Sequence, residues 1–479
     1  MMNKSLPDDF LWGGALSNVQ AEGGYLEDGK GLNVYDTLTV IPEPGIPPMF
    51  SDTSVASDHY HRYKEDIAYM KEMGFKAYRF SVIWSRIHPL GDEEAPNTKG
   101  LDYYEEMIDC LLEAGIEPVV SLVHFDMPDH LLKKYNGFLS KEVIDFYARH
   151  VGHVAERLKG KVKYWITYNE INLVSNHSRL VSGCVQPAEM PDATFFSQLT
   201  FNTQVAHAKA VEAIKQKDPH AWVAGMLGHC PFNPKSTASE DLWAAQFKNK
   251  MHNYLPLDIM TFGKLPTYFL NYMDKRAVVL VASEDEYQII EQSSKKLDYL
   301  AFSYYRTNVT GVFDDVPYDD VIAQEDLIMQ DDRRLQNPHY EANEWGWNKD
   351  SEGLRLALIE LYERYQKPLF IVENGIGIDE ILQAGKVYDD ERIKYYQMHL
   401  TSVLRAVCED GVDLLGYLAW SPIDFLSSHK EVRKRYGFLY VNRTKDDLLD
   451  LNRYKKKSFY WYQKVIETNG EDLQSKIDY

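Results

Sequence analysis

Eight short apolar or aromatic runs, each separated from the next by stretches of helical spacing, constrain this chain more than any other feature. The runs are FLWGGALS (10–17), KAYRFSVIW (76–84), EPVVSLVHF (117–125) and VKYWITYNE (162–170), then AWVAGMLG (221–228), LDYLAFSYY (297–305), PLFIVENG (368–375) and DLLGYLAW (413–420). Between them lie stretches such as YKEDIAYMKEMG (63–74), LDYYEEMIDCLLEAG (101–115), KEVIDFYARHVGHVAERLKG (141–160) and RIKYYQMHLTSVLRAVCEDG (392–411), several closing on the Gly that a helix C-terminus favours. Buried-type strands alternating with helices require a parallel sheet covered by its crossovers. Eight such units predict an α/β fold: a single (β/α)8 TIM barrel with elaborated βα loops, spanning residues 1–479 as one catalytic domain. A doubly wound open sheet is the alternative, but no Gly-rich phosphate loop follows the first run. Length alone does not decide between one large barrel and two or three average domains.

Polar residues collect at the C-terminal ends of these runs: Gln20 and Glu22 after the first, Arg79 on the second, His124 on the third, Asn169 and Glu170 on the fourth. Tyr305, Glu373 with Asn374, and Trp420 close the sixth, seventh and eighth. In a barrel, that edge carries the chemistry. TYNE and IVEN share a pattern in which a β-branched run ends in a glutamate. The fourth and seventh strands of an eight-stranded barrel face each other across the lumen. Two carboxylates flanking a cavity are the minimal machinery for glycoside hydrolysis, one protonated to assist departure and one ionised to attack or stabilise the anomeric carbon. Arg79 and Tyr305 are placed to keep Glu373 ionised. Two rim glutamates in structural ion pairs are the competing reading.

FLWGGALSNVQAEGG, YRFSVIWSRI, HFDMPDHL, TYNEI, IVENG and LAWSPIDF together resemble, in order and spacing, the motifs of glycoside hydrolase family 1, the retaining β-glucosidase family, over almost the whole chain. TYNEI stands where T-F-N-E-P is commoner. The resemblance implies that Glu170 is the general acid/base and Glu373 the nucleophile. It implies that Gln20, His124 and Asn169 grip the hydroxyls of the glycone, with Trp420 as a platform under the sugar. Trp345, in the WGW that closes the long acidic sixth loop, would form an aglycone wall, or else anchor that loop.

Past the eighth run, β-glucosidases of this family carry a Glu–Trp pair, whereas this chain reads SPIDFLSS (421–428), so Ser427 and Ser428 replace it. Losing the glutamate removes a negative charge from the place of a 6-substituent. Lys434 and Tyr436 follow in KRYGF. A hydroxyl, an ammonium and a phenol suit a phosphate, and the set resembles the Ser…Lys-x-Tyr site of the 6-phospho-β-glycosidase branch. A charge-rich solvated turn is the plainer account of HKEVRKR. A small residue at Ser428, where phospho-galactosidases carry tryptophan, leaves room for the equatorial O4 of glucose. Ser303, where most of the family has Asn, also resembles the phospho-glucosidases. The expected substrate is therefore a phosphorylated β-glucoside such as cellobiose 6-phosphate or an aryl 6-phospho-β-glucoside. The alternatives are a 6-phospho-β-galactosidase, a plain β-glucosidase, or a sugar-phosphate-binding barrel without turnover.

The formal net charge of −20 argues against general nucleic-acid or anionic-membrane binding, without excluding one phosphate in a pocket. No run of 18 apolar residues occurs and MMNKSLPDDF has no apolar signal region, so the reading is cytoplasmic. Cys110, Cys184, Cys230 and Cys408 are scattered, as buried thiols of a reducing compartment would be. His59 and His61, near Asp58, lack metal-ligand spacing and read as structural. No metal or nucleotide cofactor is expected. A homodimer is compatible with the sequence but not shown by it.

Overall fold

The computed structural model describes residues 5–38, 52–174, 176–331, 333 and 335–479; the first four residues of the N-terminal stretch discussed above lie outside them. A parallel sheet runs through strands β1 (Leu11–Ala15), β2 (Ala77–Ser81), β3 (Glu117–Ser121), β4 (Tyr164–Ile166), β5 (Trp222–Ala224), β6 (Met226–His229), β7 (Leu300–Tyr304), β8 (Leu369–Asn374) and β9 (Leu414–Trp420). Its order is β5-β4-β3-β2-β1-β9-β8-β7-β6. Every neighbouring pair is parallel. The two ends of the sheet, β5 and β6, are consecutive in the chain, so the sheet closes on itself. The fifth sequence run is thus two short strands, split at Gly225. A Cβ there would lie 2.2 Å from Met260 Sδ, so any larger residue would require the Met260 side chain to shift.

The strands are buried on both faces, as β2 and β8 show throughout their length. That is why they read as continuous apolar runs rather than as alternating ones. Helices fill the intervals where helical spacing was read: His59–Met73, Thr98–Glu113, Lys141–Arg157 and Asp390–Cys408. The first ends on Gly74, whose φ of 85° is the left-handed cap that glycine adopts without penalty. The last helix, Lys457–Glu467, closes the bottom of the barrel: Tyr462 donates to the Gly13 carbonyl (2.9 Å) and Trp12 Nε1 to Asn469 just beyond it (2.9 Å).

Among the described residues no helix is long and apolar enough to cross a membrane. The cysteines need a correction: only Cys184 is fully buried, while Cys110, Cys230 and Cys408 are half-buried and all are free thiols. Cys110 lies within the helix Thr98–Glu113, Cys408 ends the helix Asp390–Cys408 and Cys230 follows β6, positions whose partial exposure a periodicity pattern does not register. His59 and His61 hold neighbouring carboxylates, His59 pairing with Asp66 (2.7 Å) and His61 with Asp58 (2.6 Å).

Candidate active site

Glu170 follows β4 in a backbone conformation that L-residues avoid, φ 46° and ψ 49°. Phe125 after β3 (φ 65°) and Ser421 after β9 (φ 78°) share it. Such conformations cost about 1–3 kcal/mol each and cluster where a side chain must be aimed. Here the strand ends abruptly and a one-turn helix, Ile171–Leu173, begins. Asn172 locks that turn to the next strand: its Oδ1 accepts from the Gly228 amide (2.8 Å) and its Nδ2 donates to the Gly228 carbonyl (2.9 Å). Gly228 itself must be small, since a Cβ would lie 3.0 Å from Glu170 Oε1.

The two carboxylates have unlike surroundings. Glu373, on β8, accepts from Arg79 Nη1 through one oxygen and from the Tyr305 hydroxyl (2.9 Å) through the other. Arg79 is fully buried on β2 and spans the lumen, donating also to Ser121 (2.8 Å) and to Asn169 Oδ1 (2.7 Å). Glu170 accepts one neutral hydrogen bond, from the Ser303 hydroxyl (2.6 Å). Burial, and then the charge of Glu373, push Glu170 up to about 7. Burial also raises Glu373, but Arg79 and Tyr305 act against it. A single proton shared by the pair therefore belongs on Glu170, and the ionised carboxylate is the one facing the guanidinium.

The polar residues next to the pair are incompletely satisfied. His124 Nδ1 and Asn169 Nδ2 are buried without a hydrogen-bond partner among the described residues. Burial holds the His124 ring neutral, assisted by the charge of Arg79. Orphaned polar atoms of this kind cost about 1–3 kcal/mol each, which a hydroxyl-bearing ligand would recover. The Trp420 ring lies near His124 (centroids 6.0 Å) and edge-on to Phe425 (5.3 Å). Gln20 Nε2 donates to the Leu426 carbonyl (2.7 Å), fixing the amide beside the loop that follows β9.

That loop carries the remaining candidates. The Ser427 hydroxyl accepts from the amides of His429 (3.3 Å) and Glu431 (3.2 Å), so it shapes the loop and retains its own proton to donate. Ser428 is half-buried, 3.4 Å from His429 Nδ1. Lys434 and Tyr436 are both buried and converge on Gly377, four residues past Glu373, where a Cβ would meet Lys434 Cγ at 2.6 Å and Tyr436 Cζ at 3.1 Å. The Tyr436 ring also approaches that of Tyr305 (6.5 Å). An ion network anchors the segment from behind: Arg392 donates to the carbonyls of Ile376 and Tyr436 (2.7 Å each), and Lys456 bridges Glu380 and Asp424.

The structure thus gathers Arg79, His124, Asn169, Glu170, Tyr305, Glu373 and Trp420 into one cluster, with Lys434 and Tyr436 meeting at Gly377 on the loop that follows the nucleophile. Trp345 is 5% exposed, with its Nε1 unpartnered among the described residues. Its neighbour Trp347 is half-buried and packs against Tyr305 (5.4 Å). Glu22 and Asn374 serve the scaffold. Glu22 pairs with Arg86 and accepts from Tyr104, and Asn374 donates to the Tyr304 carbonyl and is held by Tyr417. Sequence reasoning missed Ser121, Asn172 and Trp347. Ser121 and Trp347 had signals, as the polar break in VVSLV and the second indole of WGW; Asn172 had none.

Comparison with known proteins agrees with this geometry. The model of the family described as Glycosyl hydrolase family 1 matches residues 2–471. The chain is 40% identical to the aryl-phospho-beta-D-glucosidase BglA of Bacillus subtilis, covering 98% of this chain and 100% of that protein. It is also 40% identical to a 6-phospho-beta-glucosidase of Clostridium longisporum, over 98% and 99% of the two chains. The solved structure of a family 1 β-glucosidase from Thermotoga maritima superposes with a TM-score of 0.83 at 30% identity, covering 98% of this chain and 99% of that one. With the closed parallel barrel and its pair of unequal glutamates, these matches establish that the chain belongs to glycosyl hydrolase family 1.

Proposed function

We propose that the protein hydrolyses 6-phospho-β-D-glucosides with retention of configuration, releasing glucose 6-phosphate and the aglycone, with residues 1–479 acting as one catalytic unit. Glu373 attacks the anomeric carbon as the glycosidic C–O bond breaks, and Glu170 delivers its proton to the departing oxygen. The covalent glucosyl–Glu373 ester is then cleaved by water, whose proton returns to Glu170. Arg79 and Tyr305 hold Glu373 ionised and aimed. His124, Asn169 and Gln20 engage the glycone hydroxyls over the Trp420 ring, and Ser427, Lys434 and Tyr436 take the phosphate.

The observation that carries the phosphate assignment is the convergence of the buried Lys434 and Tyr436 on Gly377, beside the nucleophile, in a chain whose following loop carries Ser427 instead of a carboxylate. An ammonium and a phenol brought together near a sugar site suit a phosphate. The names of the Bacillus and Clostridium relatives support the same reading. The small Ser428 supports glucose over galactose. A phosphorylated substrate places the enzyme in the cytoplasm. The test is a comparison of initial rates on p-nitrophenyl β-glucoside, its 6-phosphate and the 6-phospho-β-galactoside. Preference for the 6-phospho-glucoside is expected; equal or greater turnover of the unphosphorylated glucoside would overturn the assignment.

A further inference from the structure

Lys434 is held in an aromatic cradle. Its Nζ lies 3.8 Å from the centroid of the Trp347 ring and 5.3 Å from that of Trp345. The two indoles flank Gly346, whose φ of 73° turns the chain so that both reach the same ammonium. The turn is pinned: Asn343 Oδ1 accepts from the amides of Trp345 (3.0 Å) and Trp347 (2.9 Å), and the Asn343 amide donates to the Trp347 carbonyl (2.9 Å). On the opposite side the stem of Lys434 runs past Gly377 with no room for a Cβ. The Trp347 ring in turn packs against Tyr305, which bonds the nucleophile (2.9 Å).

A lysine side chain is flexible, and holding it in one place costs rotamer freedom. An aromatic face attracts the cation by its quadrupole and restrains it in place. We propose that Trp345 and Trp347 are positioning residues for glycone recognition, holding the Lys434 ammonium ready for the dianion at O6. The inference rests on the 6-phospho-glucoside reading and goes beyond it. It moves the selectivity for phosphate partly into the sixth loop, and it gives Trp345 a task other than contact with the aglycone.

The test uses ligands that have no aglycone, so that stacking on a leaving group cannot contribute. Inhibition constants for glucose 6-phosphate and for glucose are measured on the wild-type enzyme, Trp347→Leu, Trp347→Phe, Trp345→Leu, Lys434→Ala and the Trp347→Leu/Lys434→Ala double variant. Trp347→Leu should raise the constant for glucose 6-phosphate by roughly 5- to 30-fold, the range of a desolvated cation–π contact. Trp345→Leu should raise it less, because that ring is farther from the ammonium. Trp347→Phe, which keeps a π face, should restore most of the affinity. Glucose should bind all of them alike, which also reports an intact site. In the Lys434→Ala background the Trp347→Leu effect should vanish. Loss of affinity for both ligands together, or an undiminished Trp347→Leu effect without Lys434, would overturn the inference. A Lys434→Ala variant with an unchanged ratio of the two constants would instead overturn the phosphate reading beneath it.

Discussion

Removing the Ser303 hydroxyl should move the alkaline limb of the pH–rate profile upward by about one unit. Ser303 donates to Glu170 Oε1 at 2.6 Å. The hydrogen bond favours the ionised carboxylate and so opposes burial and the Glu373 charge, which together hold Glu170 at about 7. A hydrogen bond to a charged group contributes about 1.5–3 kcal/mol and one to a neutral carboxyl about 0.5–1.5, so the difference between protonation states is about 1–1.5 kcal/mol. At about 1.36 kcal/mol per pH unit, Ser303→Ala raises the pKa of Glu170 by about one. The assay is kcat/KM on p-nitrophenyl 6-phospho-β-glucoside from about pH 5 to about pH 9, since this parameter reports free-enzyme ionisations. The substrate phosphate titrates near about 6 in every assay and cancels between enzymes. The alkaline limb should move from about 7 to about 8, while the acid limb, set by Glu373 and its Arg79 partner, stays in place. Ser303→Asn, which returns a donor, should bring the limb back. An alkaline limb that stays put or falls, or two limbs that move together, would refute the reasoning.

Glu373→Gln should abolish turnover and block labelling by a 2-fluoro glycoside. Glu170→Gln should still form the glycosyl-enzyme from an activated substrate and then stall, turnover falling roughly 10²- to 10⁴-fold, and azide should rescue Glu170→Ala with retention; a label found on Glu170 would reverse the roles. Lys434→Ala should lower kcat/KM on the phosphorylated glucoside by roughly 10- to 150-fold, with little effect on the unphosphorylated one, as loss of one charged hydrogen bond requires. Ser428→Trp should lower the rate on 6-phospho-glucosides relative to 6-phospho-galactosides by crowding an equatorial O4, measured as the ratio of the two kcat/KM values. The folded value of Glu170 is raised, so its stabilising contribution is complete below the ordinary value near about 4.3 and is lost as pH rises through about 7. Glu170→Gln, which cannot ionise, should therefore raise Tm above about pH 7 and leave it little changed near about pH 5, as differential scanning calorimetry would show.

Buried parallel strands cannot hide in a sequence, because both faces must be apolar, so all eight runs and their barrel arrangement were readable along the chain. Glu170 and Glu373 also stood out as candidates, because a carboxylate ending such a run is costly to bury without a partner. Pattern could not show that the fifth run breaks at Gly225, beside which Met260 of a later helix packs. Nor could it show the inequality of the two glutamates. That depends on Arg79 reaching across the barrel to Glu373 while Glu170 accepts a neutral hydrogen bond from Ser303, contacts that join residues 294 and 133 positions apart. Asn172 was silent because an asparagine in a turn looks the same whether or not it clamps a neighbouring strand. Trp345 and Trp347 are chemically identical and two residues apart, and only the left-handed turn at Gly346 decides how deeply each is buried. The sequence alone determined the residue types and the edge of the barrel at which they gather. Tertiary structure decided which of them share a proton, a cation or a wall, because those choices are made by distances that local pattern does not encode.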